Sequence, residues 1–150
     1  MLYFSYIIHH ILKPVNMSNQ NKEAMLSWYG EVWNNGNENV IDEMMHPEAK
    51  AYGLGAEPLI GPPGFKPFYK AFNDAYSDID VVLDKIFTDG DYVICLCTAK
   101  ATHKETGKPV NFTGTSIALM ENGQIMLAWN HFDFLTLNLQ TGKIKEEQLL

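Results

Sequence analysis

The chain has 150 residues, 46% of them hydrophobic and 19% charged, with a formal net charge of −7. That is ordinary for one globular domain with a core of its own and excludes a chain too polar to fold. All 11 basic residues are lysines, so the arginine fork that grips phosphate, carboxylate and guanine is missing, and neither nucleic acid nor an anionic membrane is expected as a partner.

Leu2 to Leu12 is apolar and is followed by Lys13-Pro14. The stretch is too short to span a bilayer and lacks both a basic leader and a small-residue cleavage site. Met17 then opens the polar run MSNQNKEAM. Residues 1–16 therefore read as an appendage to a domain at 17–150; the alternative is a segment that packs on the domain or on a partner chain.

Helix one is expected from about Asn19 to Asn35, with Met25, Trp28, Tyr29, Val32 and Trp33 at helical spacing and Gly36 as its stop. A short second helix is expected from Asn37, its N-cap, to Met45, ended by His46-Pro47. A short strand and a loop follow over residues 49–61. Pro62-Pro63 suits the first turn of helix three, which carries Phe65, Phe68, Tyr69, Phe72 and Tyr76.

Strands are expected over Ile79–Phe87, Tyr92–His103, Pro109–Met120 and Ile125–Leu135. Asp89-Gly90, Glu105-Thr106-Gly107 and Asn122-Gly123 mark the turns. Helices first and a meander after them predict an α+β fold: three helices on one face of a curved antiparallel sheet. Tyr92–Cys97 and Ile117–Met120 are apolar without alternation, so both sheet faces should be covered. The helices cover one, and a second copy of the chain is the simplest cover for the other.

Cys95 and Cys97 are two apart in a strand and read as buried thiols in a reducing, cytoplasmic setting rather than as a bridge or a metal site. The five histidines show no metal-ligand spacing. Gly53-Leu54-Gly55 lacks the third glycine of a dinucleotide loop. Asn111-Phe112-Thr113 fits a glycosylation sequon but falls inside a strand. No cofactor is expected. His46 reads as a helix-end cap and His103 as a turn residue.

Several ordered segments carry a resemblance. They are Trp33-Asn34-Asn35-Gly36-Asn37, Gly61-Pro62-Pro63-Gly64-Phe65-Lys66, Ala71-Phe72 with Ser77-Asp78-Ile79, Thr102-His103, Asn122-Gly123-Gln124-Ile125 and Trp129-Asn130-His131-Phe132-Asp133. In order and spacing, about residues 20–140 resemble the SnoaL-like polyketide cyclase (ester cyclase) branch of the nuclear transport factor 2-like superfamily. The resemblance implies a cone-shaped domain with a pocket. In the family's cyclases, an aspartate near the end of the last strand and a histidine on the strand before it supply acid/base chemistry for an aldol ring closure. Matching the two strands puts Asn130 and Ala118 at those positions, and neither exchanges a proton at neutral pH.

Asn130 and Phe132 share one face of the last strand, and Trp129, His131 and Asp133 share the other. Asn130 is the candidate to hydrogen-bond a carbonyl or enolate oxygen. His131 and Asp133 are candidates for an acid/base dyad if a bulge turns them inward, and otherwise belong to a rim or interface. Trp28, Trp33, Phe68, Phe72 and Phe132 should converge on a pocket for a flat apolar molecule, with the Tyr52 hydroxyl as a further ligand donor. Two functions fit: a domain that binds a small hydrophobic molecule without the cyclase acid/base, or a cofactor-independent cyclase, isomerase or dehydratase acting on a small carbonyl compound.

Overall fold

A computed structural model describes residues 16–149; the expected appendage, Asn16 apart, lies outside the described residues. In chain order the elements are α1 (Met17–Ser27) running on into a π-helical turn (Trp28–Asn34), α2 (Asn39–Met44), β1 (Met45–Tyr52), β2 (Leu59–Ile60) and α3 (Gly61–Ala75). Then come β3 (Tyr76–Asp89), β4 (Tyr92–His103), β5 (Pro109–Glu121), β6 (Gln124–Phe132) and α4 (Phe134–Thr141). The six strands form one curved, unclosed sheet in the order β2-β1-β6-β5-β4-β3. The fold is α+β, with helices on the concave face.

Local chemistry accounts for most of these boundaries. Asn122 and Gly123 both take positive φ (50° and 77°) in the two-residue β5–β6 turn, as a twisted hairpin requires. Proline occupies the first turn of α3, where its missing N–H has no helical partner to lose. Asn34, at the end of the π-helical turn, clamps the edge strand. Its Nδ2 donates to the Val81 carbonyl at 3.0 Å and its Oδ1 accepts from the Val81 N–H at 2.7 Å.

Three features depart from the sequence reading. One strand pair, β1 with β6, is parallel, whereas all the others are antiparallel. The last strand stops at Phe132 and a fourth helix follows. The alternating Phe134-Leu135-Thr136-Leu137 looks like more strand, but Asp133 caps the helix, its carboxylate accepting from the Thr136 N–H at 2.9 Å and hydroxyl at 2.6 Å. Finally, β4 alternates in burial although not in polarity. Val93, Cys95, Cys97, Ala99 and Ala101 are buried in the concave core, whereas Tyr92 and Leu96 point outward and are exposed. Within one chain, only the concave face is covered.

Among the described residues, no helix is long and apolar enough to cross a membrane.

Candidate functional site: an aromatic cavity with a polar floor

Between the helices and the concave face lies a cavity of about 70 Å³. Its helical wall depends on the π-helical turn. With i→i+5 hydrogen bonding, such as Asn35 N–H to the Gly30 carbonyl at 2.9 Å, residues five apart fall on one side. Trp28 and Trp33 therefore face the cavity together, with Tyr29 beside them. Trp33 meets Phe65, Phe68, Tyr69 and Phe72 edge-on, at centroid distances between 5.4 and 6.3 Å, the arrangement that aromatic quadrupoles favour.

The sheet wall depends on a missing side chain. Gly114 pairs with Phe132, and a Cβ there would sit 2.2 Å from the Phe132 ring. The ring lies across the glycine and reaches Phe112 and Phe134, at 6.3 and 6.1 Å. Trp28, Trp33, Phe68, Phe72 and Phe132 all line the cavity.

The floor carries three neutral polar groups. The Tyr29 hydroxyl donates to Ser116 Oγ at 2.7 Å. Burial pushes this phenol well above its usual range, so it stays protonated. Ser116 pairs across the strands with Asn130 on one side and Cys95 on the other. Burial pushes the Cys95 and Cys97 thiols up to about 12 and about 11, which leaves both as inert, protonated free thiols.

Asn130 lines the cavity, but not in the expected hydrogen-bonding sense. Its Nδ2 donates to the Tyr52 carbonyl at 2.9 Å, and among the described residues its Oδ1 has no partner. The next residue, Gly53, lies against the Asn130 backbone: its φ is +82°, and a Cβ would fall 1.9 Å from the Asn130 carbonyl oxygen. Asn130 thus latches the end of β1, and the loop that brings Leu54 to the cavity starts there.

The other candidates lie elsewhere. Tyr52 is not in the cavity. Its neighbour Ala51 faces inward, so period two turns Tyr52 to the outer face, where its ring stacks on Trp129 at 6.1 Å. His131 is exposed on that same outer face. Pairing is unbroken from Asn130 to Phe132, so no bulge turns His131 inward. Asp133 is the α4 cap, held below the usual carboxylate range by the Thr136 hydroxyl and N–H. The two therefore form no dyad at the cavity. His46 accepts from the Glu48 N–H through Nδ1 at 3.1 Å, within β1 rather than at a helix end, and His103 Nδ1 bonds Thr106 Oγ1 at 2.8 Å in a turn. Among the described residues, no cluster of three or more His, Cys, Asp or Glu could hold a metal ion.

The sequence reading missed the Tyr29–Ser116 pair and the contributions of Phe112 and Phe134. Tyr29 had a signal in its place beside Trp28 on the apolar face of helix one. Ser116 had none, because its facing depends on strand register.

The profile of the SnoaL-like polyketide cyclase family matches residues 23–141. Solved structures share the fold. One from Jannaschia sp. CCS1, described as a SnoaL-like polyketide cyclase, has a TM-score of 0.78 at 17% identity, covering 90% of this chain and all of its own. One from Acidithiobacillus ferrooxidans, described as a polyketide cyclase, has a TM-score of 0.75 at 25% identity, covering 84% of this chain and 96% of its own. TerC, co-crystallised with polyporic acid, has a TM-score of 0.71 at 21% identity, covering 82% of this chain and 98% of its own. No curated protein sequence matches the chain.

Proposed function

Because this chain belongs to the SnoaL-like polyketide cyclase family, we propose that it binds a small hydrophobic molecule in the aromatic cavity and lacks the acid/base pair of the family's cyclases. The observation that carries this reading is the lining itself. It is aromatic and aliphatic apart from the floor groups Tyr29, Ser116 and Asn130 and the exposed Lys100, and none of the described residues lining it is an aspartate, glutamate or histidine. The ligand that TerC holds, polyporic acid, supports a cyclic organic molecule as the occupant. The small volume favours one compact ring.

The test uses ethylbenzene as probe. Trp28 and Trp33 wall the cavity, so binding should change tryptophan emission saturably. Ala118→Phe, which fills the floor, should abolish that change while leaving the circular dichroism spectrum native. No change with the unmodified chain would refute the reading.

One feature favours the alternative of a proton-transfer enzyme acting on a small carbonyl compound. The buried Tyr29 phenol could polarise a carbonyl, but burial keeps it a donor only, and both nearby thiols are equally held protonated. Turnover that survives Tyr29→Phe would exclude this route.

Two copies are further proposed to pair through the outer face in the cytoplasm. Tyr92–Leu119, Ile94–Ile117 and Ile117–Trp129 pair across β4, β5 and β6 and form a continuous apolar surface of the kind that marks an interface. Sedimentation at micromolar concentration should give a dimer; a monomer would refute it.

A further inference from the structure

Resting on the binding reading above, we infer that the cavity floor recognises a neutral carboxamide or lactam head, whose N–H and C=O lie side by side. Two hydrogen-bond assignments lead there. A carbonyl can only accept, so Asn130 must turn its Nδ2 toward the Tyr52 carbonyl. Its Oδ1 is then left as an acceptor. Ser116 Oγ already receives the Tyr29 proton, which leaves its own O–H to donate. The competing acceptor beside it is the thiol sulfur of Cys95, its pairing partner on β4, and a thiol accepts weakly.

Ser116 and Asn130 are directly opposed across β5 and β6, a relation that places Cβ atoms about 4.5–5.5 Å apart. One donor and one acceptor thus lie next to each other on the floor, whose third polar group, the Tyr29 hydroxyl, is already engaged with Ser116. A ketone satisfies only Ser116. A carboxylate brings a charge that is costly to bury. Lys100, the one cation among the described lining residues, is exposed and lies between the inward-facing Ala99 and Ala101 of β4, so its side chain points away from the floor. A hydroxyl beside a ketone closes its own internal hydrogen bond and presents neither group freely. An amide whose N–H and C=O point the same way satisfies both residues and stays neutral.

The test compares benzamide, acetophenone, ethylbenzene and benzoate, four ligands of one shape, by calorimetry or competition on the full chain. Benzamide should bind at least about tenfold more tightly than acetophenone or ethylbenzene, the gain of a satisfied buried hydrogen bond, and benzoate should bind most weakly. Ser116→Ala leaves the Asn130–Tyr52 latch in place but removes the acceptor of the buried Tyr29 hydroxyl, so its native fold is checked by circular dichroism. It should reduce the ratio of benzamide to ethylbenzene affinity at least about fivefold. Asn130→Leu should do the same if it folds. Equal binding of benzamide and ethylbenzene would overturn the inference and leave the apolar-cavity reading standing. Binding of none of the four would overturn both.

Discussion

The two faces of β6 lie one residue apart and have opposite surroundings. Asn130 and Phe132 look into the cavity, where the amide latches β1 and the ring lies on Gly114. Trp129 and His131 look outward; Trp129 stacks on Tyr52 at 6.1 Å and meets Tyr92 at a tilt, at 6.4 Å. Both faces are rich in aromatic residues. The inner one is enclosed by its own chain and organised by hydrogen bonds, whereas the outer one is not covered by its own helices. Apolar composition alone therefore does not mark a binding cavity: what separates the faces is the presence of oriented polar groups and of helices to close the volume.

The largest effect that would break this contrast is expected at Gly53. Gly53→Ala puts a methyl group into the Asn130 carbonyl at a left-handed φ and should cost about 3 kcal/mol or more in denaturant unfolding. Gly107→Ala, also at positive φ but with nothing within 4 Å, should cost only about 1–2 kcal/mol. Equal costs would mean that the latch does not hold the site.

Asn130→Asp sharpens the comparison through pH. The new carboxyl faces the Tyr52 carbonyl at the cavity wall, so its neutral form, which can donate, is favoured and its folded pKa lies above the ordinary value of about 3.9. The folded state then binds the proton more tightly than the unfolded state. Stability should be highest below about pH 4 and should fall as pH rises through the folded pKa, by about 1.4 kcal/mol per unit of pKa difference. A variant whose unfolding midpoint relative to the unmodified chain is the same at pH 4 and pH 8 would contradict this.

On the outer face, Leu119→Lys should convert a dimer to a monomer in sedimentation while changing ethylbenzene affinity less than about twofold, because Leu119 does not line the cavity. The smallest effect is expected at the seam between the faces. Asp133→Ala should lower the melting temperature slightly at neutral pH by removing the α4 cap. The depressed pKa of Asp133 means that its contribution is present above the usual carboxylate range and is lost as pH falls through the folded value. The gap between variant and unmodified chain should therefore close in acid. A gap that widens in acid would assign Asp133 a different role.

Sequence patterning made much of this legible. Helical spacing identified Trp28, Trp33, Phe68 and Phe72, turn chemistry located the hairpins, and period two separated Asn130 and Phe132 from Trp129 and His131. Tyr52 was misassigned because a strand residue can face either way, and only the inward placement of Ala51 settles it. α4 was hidden because its leucines alternate like a strand, and the Asp133 cap decides the matter only once Thr136 is folded back onto it.

Which face of β6 turns inward is the clearest case of a choice made by tertiary structure. Counting back from the Asn122-Gly123 turn pairs Asn130 with Thr115. The actual register shifts between the Met120–Ile125 and Leu119–Leu127 pairs, leaving Met126 as an extra residue and bringing Asn130 opposite Ser116. One extra residue exchanges the two faces of everything beyond it. The sequence by itself determined most of the elements, though not α4, and also the apolar stock and which side chains travel together, because these follow from local periodicity and turn residues. The bulge, the parallel contact with β1 and the π-helical turn were decided only by tertiary structure, because their stability comes from contacts between residues far apart in the chain. Those three features put Tyr29, Ser116 and Asn130 on one floor.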